Sequence, residues 1–180
     1  KLLLILLCLP MIGFGQNVNI PDANFKAYLV GNTAINTNGD SEIQVSEANS
    51  FNGDINCNNL SISDLTGIES FTALTVLYCV DNQLTSLDVS NNLALTELIC
   101  HGNQLTSLDV SGATALTSLR CGDNQLTSLD VSNNIAITRL TCYVNQLTSL
   151  DVSSATALTF LSCEQNQLTS LDVSGATALT

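Results

Sequence analysis

Residues 95–105 read LTELICHGNQL, and the pattern of this segment, LxxLxCxxNxL, decides the fold of the chain. The pattern begins again at Leu74, Leu116, Ile137 and Leu158, so that its cysteine returns with a constant 21-residue period. The cysteines at this position are Cys79, Cys100, Cys121, Cys142 and Cys163. Self-similarity at a fixed period predicts a solenoid, in which each coil buries its apolar side chains against its neighbours.

The cysteine marks the inner side of a short strand in each coil. Because side chains alternate between the two faces of a strand, we predict that Leu98 and Cys100 point into the core. The neighbouring outward residues of the same unit are Glu97, Ile99 and His101. Strands of successive coils would pair in parallel, about 4.8 Å apart, to form one continuous sheet.

Each predicted strand is followed by an asparagine that is expected to close a turn. The Asn103 side chain can bond backbone groups of the turn, and its equivalents should form a ladder along the solenoid. These equivalents are Asn82, Asn124, Asn145 and Asn166. A unit of this length is too short for a long helix on the return path. We therefore expect turns, extended segments or single 3₁₀ turns there.

The repeated unit resembles the leucine-rich repeat consensus, with Cys in place of the third Leu. The resemblance covers residues 54–180, about six repeats of which the last is incomplete. The divergent first turn, from Cys57 to Cys79, is one residue longer than the units that follow it. With short repeats behind an N-terminal cap, the chain is similar to the secreted or surface leucine-rich repeat proteins of bacteria, of the internalin-like kind.

This resemblance implies an α/β solenoid with a parallel β-sheet on the concave face, a mostly non-helical convex side and a small helical N-terminal cap. It also implies an exported binding module that recognises a protein or a glycan on the concave sheet. Such a module would act in surface adhesion or in contact with a host or partner, and would be secreted or held at the bacterial cell surface. The alternative is a structural spacer or stalk that displays other domains.

The first residues are predicted to form a secretory signal peptide, residues 1–15. Lys1 is basic, and the segment Leu2–Phe14 that follows it is a continuous apolar run. A bilayer crossing takes about 20 apolar residues, and this run is shorter, so we expect no membrane span. The chain has neither an initial Met nor a polar C-terminal cap, and we expect the natural protein to extend further at both ends.

Residues 16–53 do not follow the repeat and are predicted to form a helical cap. A first helix should open at Asp22, with Phe25 and Leu29 on one face, and a second should span residues 46–51. Between them, residues 36–47 resemble the 12-residue EF-hand loop, which implies a weak calcium site. Its expected oxygen ligands are Asn36, Asn38, Asp40, Glu42 through the backbone carbonyl, and Glu47.

The calcium prediction has a plain alternative. Position 1 of the loop is Asn36, which lacks the usual negative charge, and position 6 is Ser41 where the loop normally has glycine. The same residues also fit a polar turn that joins two cap helices, with Glu47 in the first turn of the second helix.

Six cysteines follow the predicted signal peptide. An even number in an exported protein permits disulfides between neighbouring coils. Their position in place of a core leucine, with all side chains pointing the same way, favours buried thiols instead.

The repeats are constant in one part and variable in another. The segment NQLTSLDVS occurs five times, whereas the outward strand positions differ in every coil. We expect four outward columns to tile the concave sheet, the fourth of them beginning at Asp81. The candidate ligand-binding residues are Tyr78, Glu97, Ile99, His101, Arg120, Arg139, Tyr143, Phe160 and Glu164. The other explanation of this variation is neutral sequence drift at solvent-exposed positions.

Composition excludes some functions. With 16 acidic and 4 basic residues, the net charge is −12, whereas nucleic-acid binding needs clustered Lys and Arg. His101 is the only histidine and has no designated acid–base partner, so we expect no enzyme. The constant segment carries an aspartate row that is expected to form local Asx-turns, with a calcium-bridged ladder as the alternative. Its members are Asp88, Asp109, Asp130, Asp151 and Asp172.

Overall fold

The computed structural model describes residues 15–180, which form a parallel β-solenoid of about six turns. The predicted signal peptide lies outside the described residues, except for Gly15. Within residues 15–180, no helix is both long enough and apolar enough to cross a membrane.

One parallel sheet runs the length of the solenoid and takes one short strand from each coil. The strands, in spatial order, are β1 (Asp54–Asn56), β2 (Val76–Tyr78), β4 (Glu97–Ile99), β6 (Ser118–Arg120), β7 (Arg139–Thr141) and β9 (Phe160–Ser162). The register aligns the central leucines, so that Leu77 pairs with Leu98 and Leu98 with Leu119. We refer to the solvent side of this sheet as the concave face.

The return path of the coils forms the convex face and is more regular than a set of turns. Four further strands lie there: β3 (Ser86–Asp88), β5 (Ser107–Asp109), β8 (Ser149–Asp151) and β10 (Ser170–Asp172). They pair in parallel as two separate sheets, β3 with β5 and β8 with β10. A single 3₁₀ turn, Ile68–Ser70, lies in the divergent first coil. The prediction of a mostly non-helical convex side is confirmed.

The core consists of aliphatic and cysteine side chains stacked in rows. Leu98, Cys100 and Leu105 are completely buried, because strand alternation turns the first two inward while the turn brings the third over them. Full burial of each leucine contributes about 1.5–3 kcal/mol, and every coil repeats these positions. The inward direction predicted for Leu98 and Cys100 is therefore confirmed.

Two helices close the N-terminal end of this core. The first helix, α1 (Ala23–Gly31), begins after Asp22, whose Oδ1 accepts hydrogen bonds from the backbone N–H groups of Asn24 and Phe25. Phe25 and Leu29 are buried, as predicted. The second helix, α2 (Val45–Ser50), lies one residue earlier than expected.

The prediction of a fourth outward column on the sheet is wrong. Its members are Asp81, Gly102, Asp123, Val144 and Gln165. Each has a positive φ, between 48° and 69°, and so lies in the left-handed region. A left-handed residue cannot continue a strand, so these residues begin the turn and the concave sheet ends before them.

Candidate functional site

The structure places six of the predicted ligand-binding residues directly on the strands of the concave face. They are Tyr78, Glu97, Ile99, Arg120, Arg139 and Phe160. The other three, His101, Tyr143 and Glu164, follow the strands by two positions and lie next to the turn. The sheet therefore forms the centre of the candidate site, and these three residues form one of its edges.

A polar chain links three coils across the N-terminal half of this face. The Tyr78 hydroxyl donates to Glu97 Oε2 over 3.1 Å. The other carboxylate oxygen of Glu97 lies 3.8 Å from an Nη atom of Arg120. Partial desolvation and the neighbouring Glu97 carboxylate raise the pKa of Tyr78. Because Tyr78 and Glu97 come from adjacent strands, the chain exists only when the coils are stacked.

Arg139 lies two coils after Glu97, and its environment differs from that of Arg120. Its guanidinium carbon lies 4.3 Å from the centre of the Phe160 ring. This is a cation–π contact, worth about 0.5–1 kcal/mol at an exposed site. The described residues contain two salt bridges, Lys26–Glu42 and Arg120–Glu97, and neither involves Arg139.

Two buried polar atoms on strand β6 lack hydrogen-bond partners. They are Nε of Arg120 and Oγ of Ser118, whose residues are two positions apart and therefore on the same face. Ser118 was not among the sequence-predicted site residues, because serine is common at exposed strand positions. Its register partner Arg139 is the signal that could have identified it.

Tyr143 marks the edge of the site next to the turn. An added Cβ at Gly122 would lie 2.6 Å from the Tyr143 ring, so the aromatic ring packs directly on the glycine of the preceding coil. Further along, the Ser162 hydroxyl donates to Glu164 Oε2 over 2.7 Å and lowers the pKa of Glu164.

The convex aspartates accept backbone hydrogen bonds within their own turns. Oδ1 of Asp109 accepts the backbone N–H of Ser111 over 2.9 Å, and Asp130 and Ser132 repeat this contact. Hydrogen bonds from these serines lower the pKa of both aspartates. The Asx-turn explanation of the aspartate row is confirmed.

The asparagine ladder is also confirmed, and it reaches further than a single turn. Asn124 Nδ2 donates to the carbonyls of Cys100 and Cys121, in two successive coils. Its Oδ1 accepts the N–H of Leu105 over 2.9 Å. Each asparagine therefore connects its own turn to the preceding coil.

The cysteine column contains free thiols. Cys57, Cys79, Cys100, Cys121 and Cys142 are buried, whereas Cys163, which follows the last strand of the concave sheet, is half-buried. Burial raises the pKa of Cys57 and of Cys142 to about 12. The preference for buried thiols over disulfides matches this arrangement.

The cap loop brings its predicted calcium ligands together, but its glutamate already has backbone partners. Glu47 Oε1 accepts the N–H groups of Thr37 and Asn38, over 2.8 and 3.2 Å, and Oε2 accepts the N–H of Gln44 over 3.0 Å. Burial alone would raise the pKa of Glu47, but these hydrogen bonds outweigh it and the net shift is downward. Asp40 accepts from its own loop through Asn38 and Gln44.

The other predicted ligands in the loop also have bonding partners within the cap. Asn36 donates through Nδ2 to the carbonyls of Val30 and Asp40, and its Oδ1 accepts the N–H of Gly39. The Glu42 side chain pairs with Lys26 Nζ over 2.7 Å. Across residues 15–180, no three His, Cys, Asp or Glu side chains are grouped as a metal site. A calcium ion here would rely on amide and carbonyl oxygens, and it would compete with the bonds that Glu47 makes.

These features define a leucine-rich repeat protein of the internalin-like type: stacked 21-residue coils, one long parallel sheet, an asparagine ladder and a helical cap. The chain belongs to the family described as the endo-β-N-acetylglucosaminidase EndoS leucine-rich repeat domain, whose model matches residues 41–155.

The chain is also similar to individual proteins. Internalin J of Listeria monocytogenes is 53% identical over 38 residues, which make up 21% of this chain and 4% of that protein. A solved structure described as the functional domain of InlJ from Listeria monocytogenes, including a cysteine ladder, is 28% identical, with a TM-score of 0.47. It aligns with 92% of this chain and 56% of its own. The chain thus spans only part of the length of these relatives.

Two further solved structures show the fold. The internalin InlF of Listeria monocytogenes aligns with 94% of this chain and 71% of its own, at 18% identity and a TM-score of 0.52. A leucine-rich repeat protein of Leptospira interrogans aligns with 66% of this chain and 38% of its own, at 22% identity and a TM-score of 0.51. At these identities the two structures show a shared fold alone.

Proposed function

We propose that this chain is an exported bacterial binding module that recognises a protein ligand through its concave face. The observation that carries the proposal is the placement of side chains. The repeats share their convex segment, NQLTSLDVS, whereas the concave strands present a different set of residues in every coil. Arginine and aromatic side chains are the residue types that anchor protein interfaces, and in the repeats they are concentrated there.

Unsatisfied polar atoms on the concave strands are a second observation in favour of this proposal, although the convex turns also leave Oδ1 of Asn92 and Asn134 without partners. On the convex face, Asp109 and Asp130 find partners within their own turns. On the concave face, Arg120 and Ser118 keep buried polar atoms without partners. An unsatisfied buried polar group costs about 1–3 kcal/mol, and a ligand that supplied a partner would recover part of this cost.

Binding to cells tests the proposal. The fluorescently labelled chain would be applied to a panel of bacterial and animal cells, beside a concave variant in which Arg120, Arg139 and Tyr143 are all replaced. A convex variant with Thr85, Thr127 and Thr148 changed to Ser is the matched control. We expect the concave variant to lose binding and the convex variant to keep it. Equal binding by both variants would contradict the proposal.

Treatment of the cells distinguishes the classes of ligand. Prior digestion with trypsin should abolish binding to a protein ligand, whereas removal of glycans should leave it unchanged. The reverse result favours a glycan. Binding to no cell in the panel favours the spacer role, in which the solenoid only separates other domains.

Calcium binding by residues 36–47 remains a prediction, and the structure gives it a sharp test. A calorimetric titration with millimolar Ca²⁺ should be run on the wild-type chain and on Glu47→Gln. Heat in the wild type that is lost in the variant supports a site that includes Glu47. No heat in the wild type means that Glu47 serves only the hydrogen bonds to Thr37, Asn38 and Gln44.

A further inference from the structure

The repeats carry positive charge at one place only. Arg120 and Arg139 are the only basic residues, Lys or Arg, between residue 54 and residue 180. They lie on the adjacent strands β6 and β7, where Arg120 pairs in register with Thr141 and Arg139 with Ser118. Neighbouring parallel strands are about 4.8 Å apart, so both guanidinium groups leave the same side of the sheet within one small area, here called the arginine patch.

Neither arginine of the patch makes a short, charge-assisted hydrogen bond to a carboxylate within the described chain. Arg120 reaches Glu97 at 3.8 Å, which is longer than the roughly 2.7–2.9 Å of a charge-assisted hydrogen bond. Its Nε has no acceptor at all. Arg139 contacts only the face of the Phe160 ring among the charged and aromatic pairs described. Stacking uses the flat side of a guanidinium and leaves its in-plane N–H groups free to donate.

The surroundings of the patch select the kind of anion that it can accept. Glu97 lies on the strand before it and Glu164 follows the strand after it, so acidic groups border the patch on both sides along the solenoid. A long polyanion would have to pass these carboxylates, and its affinity would depend on many phosphate or sulfate contacts that two arginines cannot supply. A single carboxylate, or two close together, avoids this repulsion.

Small polar side chains lie beside both arginines. Ser118 and Thr141 occupy the register positions beside the two arginines, and the Ser118 hydroxyl has no partner. Phe160, 42% exposed, provides an apolar wall next to Arg139. A planar guanidinium binds a carboxylate through two parallel hydrogen bonds, and an aromatic ring at its side suits the apolar residues of a peptide.

We propose that the arginine patch is a docking site for an acidic segment of a protein, which inserts Asp or Glu carboxylates between Arg120 and Arg139. This inference rests on the proposed function of the concave face and names the chemistry of its partner. Because the rest of the repeats is acidic, such a segment would be repelled elsewhere and attracted here. The patch thus supplies the specificity of the interaction as well as affinity.

The experiment uses a phage-displayed library of random dodecapeptides, selected on the full chain at low salt. We expect Asp and Glu to be enriched in the selected peptides. A synthetic copy of the best peptide should bind at least about tenfold more tightly than its Asn and Gln isostere. Its affinity, measured by fluorescence anisotropy, should fall as salt is added, since salt screens charges at the surface.

Variants taken from the repeat itself locate the binding. Arg120→Thr copies Thr141 of the next coil, and Arg139→Ser copies Ser118 of the preceding coil, so the double variant should fold. We expect it to bind the peptide at least about tenfold more weakly. Thr127→Glu with Thr148→Glu changes the net charge by the same amount on the convex face, and should alter binding by less than about twofold.

Each other outcome has a defined meaning. Peptides without acidic enrichment, a failure to select any peptide, or equal binding to the arginine double variant would overturn the inference. Binding of heparin but not of acidic peptides would also overturn it, because the patch would then serve a sulfated polysaccharide. If non-acidic peptides lose binding when Tyr143 and Phe160 are changed to Ser, the concave face remains the binding surface and only the acidic partner is excluded. If none of these concave variants affects binding, the proposed function fails as well.

Discussion

Each coil is closed by two turns, and the two are built in different ways. In the five coils from Asp81 onward, the turn after the concave strand has a left-handed residue followed by the ladder asparagine, as at Asp123 and Asn124. The turn on the convex face has two forms. Asn92 and Asn134 are buried there in two coils, and an alanine takes the same position in the others. These alanines are Ala113, Ala155 and Ala176.

The two turns differ in which of their buried polar groups are satisfied by backbone–backbone hydrogen bonds alone. In both convex forms the backbone closes the turn: the N–H of Ala113 donates to the Val110 carbonyl over 3.0 Å, and that of Asn134 to Val131 over 3.0 Å. The convex Asn134 only donates, through Nδ2 to the carbonyls of Val110 and Ala113. In the concave turn, Asn124 bonds backbone groups of two coils through both ends of its amide. A buried asparagine is therefore indispensable only where no backbone group can take its place.

The largest expected effect comes from removing a ladder asparagine. Asn124→Ala leaves the buried N–H of Leu105 and the carbonyl of Cys121 without the partner that the amide provided, and should cost about 3 kcal/mol or more. Urea unfolding followed by circular dichroism measures this loss. Asn134→Ala is the matched control and should cost about 1 kcal/mol or less, because its Oδ1 has no partner and alanine already occupies the position in other coils. The two carbonyls that its Nδ2 contacts, those of Val110 and Ala113, also keep a backbone N–H donor. Equal losses in the two variants would contradict the comparison.

A second prediction concerns the alanine form of the convex turn. An added Cβ at Gly112 would overlap the carbonyl oxygen of Ser90 in the preceding coil, so the backbone must move to accept it. We expect Gly112→Ala to destabilise the chain by about 1–3 kcal/mol. Thr114→Ala in the same turn is exposed and should change stability by less than about 0.5 kcal/mol. A neutral Gly112→Ala would show that the convex turn relaxes freely.

The left-handed position of the concave turn gives a third, smaller prediction with the opposite sign. Val144 has a φ of 48°, which a β-branched residue adopts at a cost of about 1–2 kcal/mol. Val144→Gly removes this strain but adds freedom to the unfolded chain, so we expect a net gain below about 1 kcal/mol. Gly102→Val should lose stability, since its Cβ would overlap Asp81 Oδ1. A loss in Val144→Gly would show that the valine side chain contributes packing that outweighs its strain.

Acid should weaken the two turns unequally, and this is the smallest effect. Hydrogen bonds from Ser132 lower the pKa of Asp130 in the folded chain. The stability from this interaction is therefore present above the ordinary aspartate pKa of about 4 and is lost as the pH falls through the lower folded value. Asp130→Asn keeps an acceptor for the turn but does not titrate. Its free energy of unfolding should fall less steeply below about pH 4 than that of the wild type.

The same titration of Asn124→Ala provides the control. Because the ladder amide carries no charge, this variant should keep the pH slope of the wild type at a lower stability. A flattened slope in Asn124→Ala would mean that the concave turn also depends on an ionised group.

The sequence predicts the parts of this fold that repeat with their residue type. The inward cysteines recur in every coil and the ladder asparagines in every coil after the first, and both lie where the pattern places them. The sequence pattern does not predict the left-handed position, because Asp81, Gly102 and Val144 share a backbone conformation but no chemical property. There the coil geometry overrides the preference of each residue.

The candidate site was predictable to a similar extent. Strand alternation places Glu97, Arg120 and Arg139 on one face, but it does not say which side chains meet. The contact of Tyr78 with Glu97 and the stacking of Arg139 on Phe160 depend on rotamers across different coils. The unsatisfied Ser118 hydroxyl depends on what its neighbours fail to offer, which no residue pattern encodes.

The buried cysteine column has a consequence for the reactivity of its thiols. The thiolate is the form that oxidants and disulfides attack, and burial suppresses it in Cys79, Cys100 and Cys121 by raising their pKa well above the ordinary value. Of the six described thiols, only Cys163 keeps partial access to solvent. Burial in the folded solenoid thus protects these thiols from oxidation. The five buried thiols are accessible to oxidants only before the coils stack.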